Sequence, residues 1–235
     1  MRLARIQPEH VRGETERRLL DAAGQVFALR GFAATRVREI CTKAGANIAA
    51  VNYHFGDKEG LYAAVISDAY ESAIRQFPPH GGLTADDPGE KRLRAFVFSF
   101  VSRILYRGRP AWLGQLLSWE MVQPTESLAM LIERSIRPQM KLLGEIVNQI
   151  GEGRLTEEQV RLTCLSVVAQ CVFYKHAAPV MQRMGPGFHF EERDIERITD
   201  HITESSLAAI RAAARRGRAA GASRTRRTLR KAART

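Results

Sequence analysis

The feature that most narrows the fold is periodic. Apolar residues recur three and four positions apart along nearly the whole chain, and the two-residue alternation of strands is hard to find. Such spacing turns one stripe of a helix to a core, so the sequence predicts an all-α protein of about eight to ten helices. A first helix from Glu14 to Arg30 sets Leu19, Leu20, Ala23, Val26 and Phe27 on one side, and Gly31 ends it. Thr35 is placed to cap a second helix, in which Val37, Ile40 and Cys41 share a face. Gly45 stops it, Asn47 starts a third helix from Ile48 to Phe55, Gly56 breaks that one, and Asp57 caps a long fourth from Lys58 to about Phe77.

Two helices of about eight residues joined by a glycine turn form a helix-turn-helix, whose second helix enters the DNA major groove. That unit spans Arg36 to Phe55. Ordinary cores also contain such pairs, and composition is what separates the two uses. Val51 and Phe55, four apart, anchor the third helix inward, while Ala49, Ala50, Asn52, Tyr53 and His54 leave a small, polar surface with no core to fill.

The stretch TRVREICTKAGANIAAVNYHFGDKEGLYAAV, Thr35 to Val65, resembles the DNA-binding signature of the TetR family. Within it, AGANIAAVNYHFGDKEGLY is closer still to the CecR-like branch with its CerR-type C-terminal domain; Glu120 to Pro138 and Gly187 to Ile210 resemble that branch more weakly. The resemblance implies that Thr35, Asn47, Tyr53, His54 and Lys58 meet the sugar-phosphate backbone, helped by the N–H groups that open the fourth helix. Base reading then falls to Ala49, Ala50 and Asn52, with Arg36 and Ile48 as further candidates: methyls suit thymine and an amide suits adenine. Asn52 stands where the family often has Tyr, and Ile48 where it often has Lys.

The resemblance further implies a homodimeric repressor on a palindromic double-stranded operator, released by a small-molecule inducer whose identity the sequence does not specify. A basic arm at 1–13 and a DNA-binding head at 14–58 would precede a helical ligand-binding and dimerisation domain at 59–217 and a disordered basic tail at 218–235. In that domain helices are predicted at Lys91–Arg107, Ala111–Val122, Thr125–Arg137 and Gln139–Ile150, with Pro110, Pro124 and Pro138 as punctuation. A capping box at Thr156–Gln159 opens another, to His176, and a last helix runs from Glu191 to Arg216. The family's subunit seam would draw on Val160, Cys164, Val168 and Cys171 of one helix and Ile195, Ile198, Ile202 and Leu207 of the other, positions that equally suit a core within the chain. Phe96, Phe100, Tyr106, Leu116 and Met121 read as core more than pocket; Trp112, Trp119 and Phe173 are the candidate ligand-lining residues, and Glu120 and His176 the candidate polar groups.

Of the net charge of +11, ten units lie between Arg211 and Thr235, where there is no acid. Such a tail either solubilises or holds phosphates without sequence choice, and the latter defines the alternative of an architectural nucleic-acid-binding protein. No HExxH, GxSxG or phosphate-cradling glycine loop is present and the six histidines do not space as a metal site, so neither an enzyme nor a cofactor or metal is expected. Three cysteines without a CxxC suit buried thiols in a reducing compartment. The longest nearly apolar run, Leu162 to Tyr174, falls short of the roughly 20 residues a membrane span requires, and the first residues carry no leader pattern; a cytoplasmic location follows as the expectation.

Overall fold

Helix breaks fall where the backbone leaves the right-handed region. In this computed structural model, which describes residues 13–105, 112–185, 187 and 190–232 and only the backbone from 219, α1 (Glu14–Ala34) carries a non-helical Gly31 at φ 75°. Gly45 closes α2 (Val37–Ala44) at φ 61°. A side chain at either φ would crowd its own backbone, so glycine sets both breaks. Asn47 caps α3 (Ile48–Phe55) by accepting the Ala50 N–H at 2.8 Å, and Asp57 caps α4 (Lys58–Gln76) by accepting the Gly60 N–H at 2.7 Å. Thr35 does not cap α2. The cap position belongs to Arg36, and the Thr35 hydroxyl donates back to the Gly31 carbonyl at 2.7 Å.

The chain continues through α5 (Gly89–Leu105), α6 (Leu113–Val122), α7 (Glu126–Leu131), α8 (Arg137–Ile150), α9 (Glu157–His176), α10 (Ala178–Met184) and α11 (Ile195–Ala232). Pro138 does not separate two helices as expected. It sits in the first turn of α8, and a π turn at Ile132–Ile136 joins α7 to α8 without a gap. In an unbroken α-helix its ring would press on the Arg134 carbonyl; the wider turn, in which the Arg137 N–H reaches Ile132 O, relieves that clash. Counted as one, the joined pair makes ten helices among the described residues. The capping box forms as its sequence predicts: Thr156 accepts the Gln159 N–H at 3.2 Å, and Gln159 Oε1 accepts the Thr156 N–H at 2.9 Å.

Two cores form, and they do not divide at residue 58. Leu19, Phe27, Ile40, Val51 and Leu61 of α1–α4 are closed over by Leu116 of α6 and its neighbours, so α6 and α7 belong to the head's packing. Trp112 lies so close against Gly24 that a Cβ there has no room. Trp119 donates its indole N–H to the Ala28 carbonyl at 3.0 Å and covers Gly31. The second core joins α5, α8, α9 and α11 through Phe96, Leu143, Ile146, Cys171 and Ile202. Between the cores the end of α4 is held by polar bonds: the Phe77 carbonyl accepts from the Ser99 hydroxyl at 2.6 Å and from Arg103 at 2.8 Å. Arg103 also donates to Gln139 Oε1 at 2.8 Å, and burial lowers its pKa from the ordinary value.

The expected subunit seam is interior. Cys164, Cys171, Ile195, Ile198 and Ile202 are buried within the one chain, and Val160, Val168 and Leu207 pack half-buried against them. The exposed apolar residues of α9 are Leu162, Leu165 and Phe173, on its other face, followed by Val180 and Met184 of α10.

α11 runs antiparallel to α5: Arg94 pairs with Glu196 at 2.5 Å and Asp200 at 2.9 Å, whereas Arg211 pairs with Glu90 at the start of α5. Gly217 then packs on the Arg154 carbonyl. The backbone stays helical to Ala232 where a disordered tail was expected from 218, in keeping with an Ala/Arg-rich segment that lacks proline. This basic extension thus starts beside Glu90 of α5 and Arg154, which follows α8. The N-terminal arm as far as residue 12, together with Tyr106, Arg107, Pro110 and residues 233–235, lies outside the described residues.

Candidate nucleic-acid interface and the cleft behind it

The third helix is held at both ends and left bare in the middle. Val51 is buried and Phe55 half-buried against α1 and α4, which turns Ala49, Asn52, Tyr53 and His54 to solvent. Tyr53 is 86% exposed and Ile48 45%, values with no explanation in packing. The Tyr53 and His54 rings meet edge to face with centroids 5.0 Å apart, on the exposed side of the helix. Arg36 is exposed beside them, and an ion pair of 3.1 Å between Arg30 and Glu39 ties α2 to α1. Arg38 and Lys43 are exposed on α2 as well. Neither is among the candidate DNA contacts named from the sequence, although the spacing that sends Ile40, Cys41 and Ala44 inward leaves them outward.

Three expected DNA contacts are placed differently. Thr35 is 2% exposed, its hydroxyl committed to Gly31, so its role is to shape the α1–α2 turn. Ala50 is half-buried against the core, at the edge of the reading face. Lys58 folds back over the Phe32 ring, 4.5 Å from its centroid, with Nζ 3.4 Å from the Ala33 carbonyl. Asn47 is exposed, its amide oxygen occupied in capping.

Behind the head lies a cleft of about 1000 Å³ between α1, α4, α6 and α7. Phe32, Tyr62 and Trp119 give it aromatic walls, Met130 and Ile132 an apolar one, and Glu59 and Glu126 stand among its lining residues. Behind its surface Glu120, 1% exposed, accepts the Tyr62 hydroxyl at 2.7 Å, the Thr125 N–H at 3.0 Å and the Thr125 hydroxyl at 3.0 Å. These bonds tie α4 to the α6–α7 corner. Burial, and after it the bond to Glu120, pushes the Tyr62 pKa well above the ordinary tyrosine range, so the phenol remains a donor.

Of the five expected ligand-site residues, the structure brings Trp119 to the wall of this cleft and places Glu120 behind it. Trp112 is spent on Gly24, while Phe173 (57% exposed) and the exposed His176 lie on α9 and are not among the lining residues. Trp112 carries no local sign of its role, because its partner is a glycine in a distant helix. The three cysteines are free and buried, and burial raises the Cys164 thiol to about 11 and that of Cys171 to about 12.

A helix-turn-helix head with a bare, polar second helix, clamped to a helical body, defines a DNA-binding transcription regulator. Comparison with known proteins agrees. The family model for bacterial regulatory proteins of the tetR family matches residues 19–65, and that for the C-terminal domain of the HTH-type transcriptional dual regulator CecR matches residues 89–210, more than half of the chain. The chain belongs to the TetR family, in its CecR-like branch. It is 30% identical over 135 residues to the uncharacterized HTH-type transcriptional regulator YdgC of Bacillus subtilis (strain 168), covering 55% of this chain and 67% of that one. Against the dual regulator CecR of Shigella flexneri it is 30% identical over 137 residues, 54% of this chain and 61% of that protein. Its fold is similar to that of AibR, solved in complex with isovaleryl coenzyme A and operator DNA, with a TM-score of 0.62 and 18% identity over 80% of this chain and 96% of that one. Among the described residues no helix is long and apolar enough to cross a membrane.

Proposed function

We propose that this regulator is a repressor that sits as a homodimer on a palindromic operator and is released when a small molecule enters the cleft behind its head. The observation that carries this reading is the ownership of the cleft walls. Glu59, Gly60, Tyr62 and Ala63 belong to α4, whose N-terminus adjoins the recognition helix, and the opposite wall belongs to α6 and α7. A ligand that prefers one spacing of these walls shifts α4, and with it the separation of two heads in a dimer. AibR, the similar fold that holds an acyl-coenzyme A and an operator, gives the reading a precedent. The dimer would form through Leu162, Leu165 and Phe173, which share one stripe of α9 and have no core to enter.

In this reading Ala49, Asn52, Arg36 and Ile48 reach base edges, and Tyr53 and His54 reach phosphates. Lys58 reaches a phosphate only by leaving Phe32. Titrating full-length protein onto a duplex carrying the selected operator, with and without candidate effectors, tests it. Loss of the complex on addition of an effector that binds the DNA-free protein supports release. Tighter operator binding in the presence of every effector that binds would overturn it in favour of a co-repressor or activator scheme.

A further inference from the structure

We propose that the cleft between α1, α4, α6 and α7 selects a lipophilic cation, which takes the seat that Lys58 occupies on the Phe32 ring. The inference rests on the reading of the cleft as the effector site and adds the chemical class. A volume of about 1000 Å³ suits a drug-sized molecule, and three aromatic rings with Met130 and Ile132 suit an apolar one. Its charged lining residues are acidic. Glu59 and Glu126 line the cleft, no Lys, Arg or His does, and neither carboxylate forms an ion pair among the described residues. Behind Tyr62 and Thr125 the buried Glu120 carboxylate is met by three hydrogen-bond donors and no cation.

The wall already holds a cation. The Lys58 ammonium lies 4.5 Å from the centroid of Phe32, and Phe32 and Ala33, its two contacts, are both lining residues. A ring face that takes an ammonium takes a larger, less hydrated cation more readily, since less desolvation opposes the contact. An anionic effector would meet one ammonium here, that of Lys58, against the two carboxylates of Glu59 and Glu126. The buried guanidinium of Arg103 is already engaged by Phe77, Ser99 and Gln139. Exchange of Lys58 for the ligand would occur in the first turn of α4, beside the recognition helix.

Tetraphenylphosphonium and tetraphenylborate test the proposal, being nearly equal in size and shape and opposite in charge. Titrated into the full-length dimer and followed by Trp119 fluorescence, with Trp119→Phe as the control for signal from Trp112, the phosphonium should bind at least about tenfold more tightly than the borate. Glu59→Gln with Glu126→Gln, both at exposed positions, should weaken the phosphonium by about tenfold, and Lys58→Ala should strengthen it by removing the internal competitor. Equal or tighter binding of the borate, or a phosphonium affinity unmoved by the double variant, would overturn the cation class. Operator release is read separately. Phosphonium binding with these signatures but no release leaves the cation site standing and sinks the release mechanism, whereas release by the borate alone keeps release and overturns the cation.

Discussion

At the residue scale, side chains that look like surface chemistry in the sequence divide by what their backbone demands. Asn52, Tyr53 and His54 are legible because they lie between two inward anchors on a short helix. Thr35 is not, because its hydroxyl completes the end of α1, a need that only the path of the chain reveals. Glu120 is legible as a polar residue among apolar ones, while its partners Tyr62 and Thr125 become evident only when α4 meets the α6–α7 corner. Tyr62→Phe should lower stability to urea by about 1–3 kcal/mol, since the buried carboxylate loses one donor and cannot recover it from water. An unchanged unfolding midpoint would show that Glu120 is solvated there. The raised thiols give a pH signature. Cys164 and Cys171 ionise at about 9.0 when unfolded and at about 11 and 12 when folded, so their contribution to stability is complete below pH 9 and is lost as pH rises through 11 to 12. Thiol reagents should accordingly leave both residues unmodified at neutral pH until denaturant is added. Rapid labelling of the native protein would contradict the burial.

At the element scale, α9 is the instructive helix. It carries two apolar stripes, one through Cys164, Val167 and Cys171 and one through Leu162, Leu165 and Phe173, and periodicity alone does not say which faces the core. The first stripe is buried and the second exposed, and the proposed homodimer would cover the second. Leu165→Asp with Phe173→Asp should therefore give folded monomers with operator affinity reduced at least about tenfold, because a charge in an interface core is left unpaired. Ile198→Asp should instead unfold the chain, since Ile198 is 2% exposed within one subunit. Sedimentation and circular dichroism separate the two results. Gly24→Ala should loosen the Trp112 clamp at a cost of about 1–3 kcal/mol, read as a lower midpoint of thermal unfolding. α11 bears on the basic segment. Because Arg211 pairs with Glu90 of α5 and Gly217 packs on Arg154, neither of them in α1–α4, removing residues 218–235 should leave the salt dependence of operator binding unchanged, and a slope flatter by about 0.9 per lost contact would show that the extension returns to the DNA.

At the scale of the whole molecule, α1–α4 share one hydrophobic core with Leu116 of α6 and Leu131 of α7, helices that also wall the cleft. α4 runs from the recognition helix to the Arg103 cluster, and α6 rests on α1 through two tryptophans; a change in the cleft thus meets the reading head through both. The all-helical class and the helix-turn-helix were legible because they depend on local spacing and on glycines. The cleft was not, because its walls come from four helices far apart in sequence. If paired copies of α3 read DNA, selection of binding sites from a random duplex library by the full chain and by Asn52→Ala will show it. The expected result is an inverted repeat whose half-sites lie about one helical turn, roughly 34 Å, or a multiple of it apart, with preference relaxed by about 1–3 kcal/mol at one symmetric pair of positions in the variant. Selection of a single asymmetric site, or of no sequence at all, would contradict it.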